Sequence, residues 1–118
     1  LYSERKLKMI NLSAGFIALP GGLGTIDEIA EISVLNQFAS YKNTSENPVK
    51  PVVILNADGF YDGLLMQFNR ALQDKFMTKK HTDMTLFTED PVQAVKHIAT
   101  FNEFTPDDSK WWEKELAS

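Results

Sequence analysis

The stretch FIALPGGLGTIDEIAE, residues 16–31, decides the fold of this chain. Its first four residues form an apolar run of the kind that is buried in a parallel sheet, and Pro20 ends that run. Glycines follow at positions 21, 22 and 24, and beyond Thr25 apolar residues recur at helical spacing. The stretch therefore predicts a strand, a tight glycine turn and a helix, which is the repeating unit of an α/β protein.

The rest of the chain repeats this unit. Residues 51–59, PVVILNADG, form a second apolar run followed by turn residues, and a weaker strand lies within MTLFTED at 84–90. Residues 1 to about 10 read as the end of a helix, and Pro91 is a suitable first residue for another. The order α-β-α-β-α-β-α predicts a doubly wound parallel α/β sheet whose first two strands are buried on both faces.

Each helix that follows a strand has an expected apolar face. These faces are Ile26, Ile29, Ala30, Ile32, Val34 and Leu35 in the first helix, Tyr61, Leu64, Leu65, Phe68, Ala71 and Leu72 in the second, and Val92, Val95, Ile98 and Ala99 in the third. For the adjacent aromatic residues Phe60 and Tyr61, packing in the core is favoured over a role as a platform on which a base stacks. Residues 40–50 are polar and predict a surface loop.

The length of 118 residues predicts at most one domain. Residues 1–104 are expected to be the C-terminal part of a Rossmann-like domain, since a helix is already running at Leu1 and three strands are few for such a sheet. Missing N-terminal strands are therefore part of the expectation. Residues 105–118, which include Trp111 and Trp112, predict a tail with a short helix or partial disorder.

Composition narrows the classes of function. The net charge is −4 without a long basic cluster, which argues against a nucleic-acid polymer as partner, and no apolar run is long enough to predict a membrane span. The chain has no cysteine, so it has neither disulfides nor thiolate metal sites, which fits a cytoplasmic location. His81 and His97 lack partners at metal-ligand spacing, so no metal site is predicted.

The glycine turn is the candidate binding site. Gly21, Gly22 and Gly24 lie at the carboxyl edge of the predicted sheet, where ligands bind in open α/β folds. The helix that follows offers unpaired N–H groups and the positive end of its dipole to a phosphate, and Thr25 adds a hydroxyl. The spacing matches neither G-x-G-x-x-G nor a Walker A motif, so a nucleoside triphosphate with magnesium is poorly supported.

A purely structural explanation competes with phosphate binding. Thr25 and Glu28 have the spacing of a capping box, in which the threonine caps the helix and the glutamate reaches back to its N–H. From spacing alone, both explanations remain open.

The stretch Pro20-Gly21-Gly22-Leu23-Gly24-Thr25-Ile26-Asp27-Glu28 resembles the P-G-G-x-G-T-x-x-E signature of the Lonely Guy family of nucleoside-5′-monophosphate phosphoribohydrolases. This family has long carried the label "lysine decarboxylase-like". An Arg-Lys pair on the preceding helix is its second mark, and SERKLKM supplies Arg5 and Lys6. PVVILNADGFYDGLL is similar to the family's next strand and helix start. The resemblance covers about residues 2 to 100.

The resemblance implies a Rossmann-like fold and hydrolysis of the N-glycosidic bond of a nucleoside monophosphate. It also implies no metal or redox cofactor, and a homodimer or larger assembly. Arg5 and Glu28 match the positions regarded as catalytic, and Lys6 is either a substrate-binding residue or a solvated helix charge. The phosphate-binding turn corresponds to Gly21, Gly22, Gly24 and Thr25.

These residue types suit the implied reaction. Breaking the C1′–N bond builds positive charge on the ribose, which a Glu28 carboxylate can stabilise, while a planar Arg5 guanidinium can steady the base. Plant-type members usually carry tryptophan where Leu35 stands, and the loop 40–50 is longer than in short members. We therefore expect an ordinary purine monophosphate such as AMP, with a cytokinin-type substrate as the alternative that stays open.

Two alternatives come from other functional classes. A non-catalytic nucleotide or molybdenum-cofactor carrier of the same fold would need the glycines but not the pair Arg5 and Glu28. An interaction module with a structural turn would have no affinity for phosphate. The presence of the pair favours the enzyme.

Overall fold

The computed structural model describes residues 2–42 and 49–101. The elements in chain order are α1 (Tyr2–Leu12), β1 (Phe16–Ala18), α2 (Leu23–Lys42), β2 (Val52–Leu55), a 3-10 turn (Ala57–Gly59), α3 (Asp62–Gln73), α4 (Lys79–Asp83), β3 (Thr85–Thr88) and α5 (Pro91–Phe101). The predicted alternation is confirmed. Helix α4 and the 3-10 turn were not predicted, because each is too short for a pattern of apolar residues at helical spacing to be recognised. The predicted tail at 105–118 lies outside the described residues.

The three strands form one parallel sheet with β2 in the middle. Phe16 pairs with Val52, and Val52 pairs in turn with Thr85. Two residues further along, Ala18 lies beside Ile54, which lies beside Phe87. The parallel α/β fold predicted from the sequence is confirmed, and all three strands end at the same edge of the sheet.

The main core lies on the face of the sheet that carries Val52 and Ile54. Around these strand residues the buried cluster contains Ile10, Ile29, Ile32 and Tyr61, with Phe16, Ala18, Leu64 and Phe87 packed against it. Burial of each large aliphatic side chain contributes about 1.5–3 kcal/mol. This face fixes α2 and α3 against the sheet and so sets where the chain between β1 and α2 can lie.

Helix α5 covers the opposite face at β2 and β3. Its Ala94 and the strand residue Val53 are fully buried. The expectation of burial on both faces is confirmed for β2, but it is wrong for β1. Ile17 remains 39% exposed, because α5 lies against the other two strands.

The predicted apolar faces differ in accuracy among the helices. The face of α3 is correct: Tyr61 is buried and the other members are half-buried. In α2 only Ile29 and Ile32 are buried, and the other predicted members are exposed; in α5 Ala94 is buried, whereas Val92, Val95 and Ala99 are exposed. Helix α2 carries apolar residues around most of its circumference, so contact with the sheet, not periodicity, selects its buried side.

Helix α2 is also tied to β2 by polar contacts. The buried Asn36 side chain donates from Nδ2 to the Lys50 carbonyl at 2.7 Å and accepts from the Lys50 N–H at 2.9 Å. The Lys50 ammonium donates to the Ile10 carbonyl near the end of α1. Burial lowers the pKa of Lys50. One residue thus links α1, α2 and the start of β2.

Candidate functional site

The glycine turn joins the end of β1 to α2 at the carboxyl edge of the sheet. The N–H of Ile26 donates to the Gly22 carbonyl at 3.2 Å, so the helical hydrogen bonds begin at Gly22. Thr25 therefore lies inside the first helical turn and is not the cap, so the capping box that the spacing of Thr25 and Glu28 left open does not form. The first N–H groups of α2 have no carbonyl one turn earlier in the helix, which leaves them available to an anion.

Gly21 is held against the side chain of Thr25. A Cβ added to Gly21 would overlap Thr25 Oγ1 and lie 3.0 Å from Thr25 Cβ, whereas one added to Gly22 or Gly24 would meet nothing within 4 Å. Only a residue without a side chain fits at position 21 while Thr25 keeps this position. The turn therefore closes over the Thr25 hydroxyl and leaves Gly22 and Gly24 exposed.

A cavity of about 180 Å³ lies between β1 and α2 beside this turn. Thr25 and Glu28 reach it because residues three apart share a helix face. Its lining is otherwise largely apolar and consists of Phe16, Ile17, Ala18, Leu19, Pro20, Ile29, Ile32 and Val52. The cavity thus combines one hydroxyl and one carboxylate with an apolar floor that continues into the core.

Glu28 is half-buried at this cavity. Its carboxylate has no hydrogen-bond or ion-pair partner within residues 2–42 and 49–101. The described chain therefore leaves its oxygens open to a bound molecule, so the predicted competition between capping and catalysis does not arise.

The other two predicted site residues lie on α1. Arg5 is exposed and is not among the residues that line the cavity, and the Lys6 side chain lies outside what the structure describes. The structure thus brings Glu28, Thr25 and the glycines together but does not place Arg5 with them.

Tyr61 contacts the glycine turn, although sequence reasoning assigned it only to the core. Its hydroxyl donates to the Leu19 carbonyl at 2.6 Å. Burial raises the pKa of the Tyr61 hydroxyl, and interaction with the backbone of Gly21 lowers it by a smaller amount. The one signal in the sequence was a tyrosine, rather than phenylalanine, on an otherwise apolar helix face. The neighbouring Phe60 stays 54% exposed.

Within residues 2–42 and 49–101, no group of three or more His, Asp or Glu side chains could hold a metal ion. Over the same ranges, no helix is both long and apolar enough to cross a membrane.

Comparison with known proteins identifies the family. The family model described as "possible lysine decarboxylase" matches residues 2–98, which include α1, the glycine turn and all three strands. The chain belongs to the Lonely Guy family. The resemblance found in the glycine signature is thereby confirmed over most of the chain.

Curated members of the Lonely Guy family support this assignment. A probable cytokinin riboside 5′-monophosphate phosphoribohydrolase of Oryza sativa subsp. japonica is 34% identical over 98 residues, 83% of this chain and 40% of that protein. A second rice protein, a cytokinin riboside 5′-monophosphate phosphoribohydrolase, is 40% identical over 76 residues, which are 64% of this chain and 28% of that protein. An Arabidopsis thaliana protein of the same name is 30% identical over 99 residues, which are 84% of this chain and 43% of that protein. The chain spans less than half the length of these relatives.

Proposed function

We propose that this protein hydrolyses the N-glycosidic bond of a nucleoside 5′-monophosphate to give the free base and ribose 5-phosphate. The observation that carries the proposal is the cavity that Thr25 and Glu28 share beside the glycine turn. Family membership supports the same reaction, since the curated relatives are named for it.

The phosphate site proposed here consists of Gly21, Gly22, Gly24 and Thr25. Gly22 and Gly24 are exposed and have open space where a side chain would stand, so a ligand can approach their backbone closely. The free N–H groups of the first turn of α2 and the positive end of its dipole favour a dianionic phosphate. A nucleoside without phosphate would lack this contact, so we expect it to be a poor substrate.

Glu28 is proposed to stabilise the ribose while the bond breaks. As the C1′–N bond lengthens, positive charge develops on the sugar, and a carboxylate at that position stabilises it electrostatically. Water then adds its hydroxide to C1′, and its proton ends on the departing base. Because Glu28 has no partner within the described chain, its oxygens can hold a ribose hydroxyl and the attacking water.

Arg5 is proposed to hold the nucleotide through its guanidinium. An arginine stays charged and is a poor proton donor, so its contribution is hydrogen bonding and electrostatics at the base or the leaving nitrogen. Its exposure on α1 leaves the side chain accessible to a ligand. Lys6, the next residue, stays a predicted substrate contact.

An ordinary purine monophosphate such as AMP is the proposed substrate. The relatives compared above are named for cytokinin ribosides, but this chain has Leu35, 37% exposed, where plant-type members usually carry tryptophan. The base would therefore meet a different surface. A homodimer is proposed as the assembly, and a cytoplasmic location stays a prediction of the sequence. No metal or redox cofactor is invoked.

The test uses the full-length protein with a panel of nucleoside monophosphates and their nucleosides. Free base is followed by chromatography for the wild type, Glu28→Gln and the control Asp27→Asn. Asp27 precedes Glu28 on α2, is exposed and does not line the cavity. We expect base to be released from monophosphates only. Glu28→Gln should lower kcat about 10²- to 10³-fold, as for loss of one electrostatic contact in the transition state, and Asp27→Asn should resemble the wild type.

The outcomes separate the functional classes. Release of base from monophosphates but not nucleosides, lost in Glu28→Gln, supports the hydrolase and a turn that recognises phosphate. Tight binding of a nucleotide without release supports the carrier. Neither release nor binding would leave the glycine turn as a structural feature and would overturn the proposal.

A further inference from the structure

Tyr61 connects the carboxyl ends of two neighbouring strands. Its backbone N–H donates to Asn56 Oδ1 at 2.6 Å, and Asn56 directly follows β2. Its hydroxyl donates to the carbonyl of Leu19, which directly follows β1, at 2.6 Å. The two contacts lie at opposite ends of one rigid residue, so Tyr61 spans the gap between the strand ends.

The segment before Tyr61 is shaped to bring it there. Asp58 and Gly59 both have left-handed backbone conformations, with φ of 53° and 72°. Two consecutive residues of this kind turn the chain sharply, and glycine is the residue that adopts the conformation without cost. Asn56 is itself fixed, because its N–H donates to the Thr88 carbonyl at 2.8 Å and its Nδ2 to Asp62 Oδ1 at 2.8 Å.

The ring of Tyr61 is anchored independently of its hydroxyl. It is only 3% exposed and belongs to the core cluster with Ile54 and Ile32. Hydrophobic packing alone would be served equally well by phenylalanine. A buried hydroxyl is costly unless it is hydrogen-bonded, and here it donates to the Leu19 carbonyl at the start of the glycine turn.

We infer that Tyr61 is a positioning residue that holds the Leu19–Gly21 backbone in the conformation that binds the substrate phosphate. This inference rests on the proposed function. The segment between β2 and α3, which carries Tyr61, would then fix the turn that joins β1 to α2. Tyr61 acts through the turn and does not itself touch the substrate.

The test replaces Tyr61 by phenylalanine in the full-length protein, which keeps the ring and removes only the hydroxyl. With AMP as substrate, we expect KM to rise about 3- to 10-fold, as for loss of one neutral hydrogen bond, with a smaller change in kcat. Thr100→Val is the control. It also removes a hydroxyl that donates to a carbonyl, that of Lys96 at 2.9 Å, but on the outer helix α5. Its KM should stay at the wild-type value.

Amide hydrogen exchange measured by NMR tests the contact without relying on activity. Because the Tyr61 hydroxyl is bonded to the Leu19 carbonyl, two residues before Gly21, its loss should let the turn open more often. Exchange at Gly21 and Gly22 should accelerate in Tyr61→Phe and remain unchanged in Thr100→Val.

The possible results are distinguishable. Wild-type KM and wild-type exchange in Tyr61→Phe, even with lower stability, would overturn the inference and leave Tyr61 as a core residue. If the wild type hydrolyses no monophosphate, the proposed function fails, and the exchange data alone decide whether Tyr61 holds the turn.

Discussion

At the scale of single residues, Gly21 is the position where the smallest change should have the largest effect on the site. Replacing it by alanine puts a methyl group against Thr25 Oγ1 and 3.0 Å from Thr25 Cβ. Rotation about χ1 can move the hydroxyl, but the Cβ is fixed to the helix backbone, so the turn must shift to accommodate the methyl group. Overpacking of this kind costs about 1–3 kcal/mol. We expect Gly21→Ala to weaken AMP binding about tenfold or more, measured by calorimetry.

Gly63→Ala provides the matched control for this prediction. Gly63 lies in the first turn of α3, and an added Cβ meets nothing within 4 Å. Alanine is the better helix former by about 1 kcal/mol, so this variant should bind AMP normally and unfold no more easily than the wild type. Equal AMP affinity in both variants would show that the packing of Gly21 on Thr25 has no part in binding.

The Tyr61 hydroxyl also predicts how stability depends on pH. Burial raises its pKa above 10.0, so the folded protein keeps this proton after the unfolded chain has begun to lose it. Its contribution to stability is fully present below pH 10.0 and is lost as the pH rises through the raised value. Above pH 10.0 the wild type should therefore lose more free energy of unfolding than Tyr61→Phe.

Urea unfolding of both proteins at a series of pH values measures this difference. Lys50, whose pKa is lowered, titrates in both proteins, so its effect cancels in the comparison. Parallel pH profiles for the two proteins would contradict the prediction.

At this scale, the sequence pointed to Thr25 and Glu28 because they belong to a motif, but it did not point to the contact between Tyr61 and the glycine turn. The family signature singled out Thr25 and Glu28, and both side chains line the cavity. Tyr61 was assigned to the core because its ring fits an apolar face. The direction of its hydroxyl depends on the left-handed turn at Asp58 and Gly59, which no periodicity reveals.

At the scale of elements, α2 is oriented by contacts at its far end as well as by its core face. Asn36 is 3% exposed, and its side chain satisfies both the N–H and the carbonyl of Lys50. We expect Asn36→Ala to lower the free energy of unfolding by about 2–3 kcal/mol, because two buried backbone groups lose their partners. Urea unfolding monitored by circular dichroism provides the measurement.

Met66→Ala is the control, on the neighbouring helix α3 and 71% exposed. It should lower the free energy of unfolding by less than about 1 kcal/mol, since little apolar area leaves the core. An Asn36→Ala protein as stable as Met66→Ala would mean that water replaces both hydrogen bonds and that the link between α2 and β2 contributes nothing.

The order of elements was predictable because β1 and β2 are short apolar runs closed by proline and asparagine, and the weaker β3 is followed by Pro91 as a helix start. The buried side of α2 was not, since Ile26, Val34 and Leu35 are as apolar as Ile29 and Ile32. Packing against β1 and β2 decides between such sides, and a single sequence contains no record of it. The start of α2 was predicted too late, near Thr25, because the sequence does not show that the Gly22 carbonyl accepts the first helical hydrogen bond.

At the scale of the whole molecule, α2 presents a second apolar surface that faces away from the sheet. Leu23, Ile26, Val34 and Phe38 recur at helical spacing and are all exposed, with Leu23 at 85%. An exposed apolar stripe of this kind is a candidate interaction surface. A second copy of this chain is the partner that the proposed homodimer would bring to it.

A charge in the middle of this stripe tests the homodimer. In Val34→Glu of the full-length protein, a carboxylate would have to lose its water in the interface, which costs several kcal/mol when it has no partner. We expect the dimer dissociation constant, measured by analytical ultracentrifugation, to rise at least about tenfold. Met66→Glu on α3, equally apolar and 71% exposed, should leave it unchanged. If Val34→Glu instead keeps the wild-type oligomeric state but unfolds more easily, the stripe is covered within one subunit, and the dimer forms through another surface.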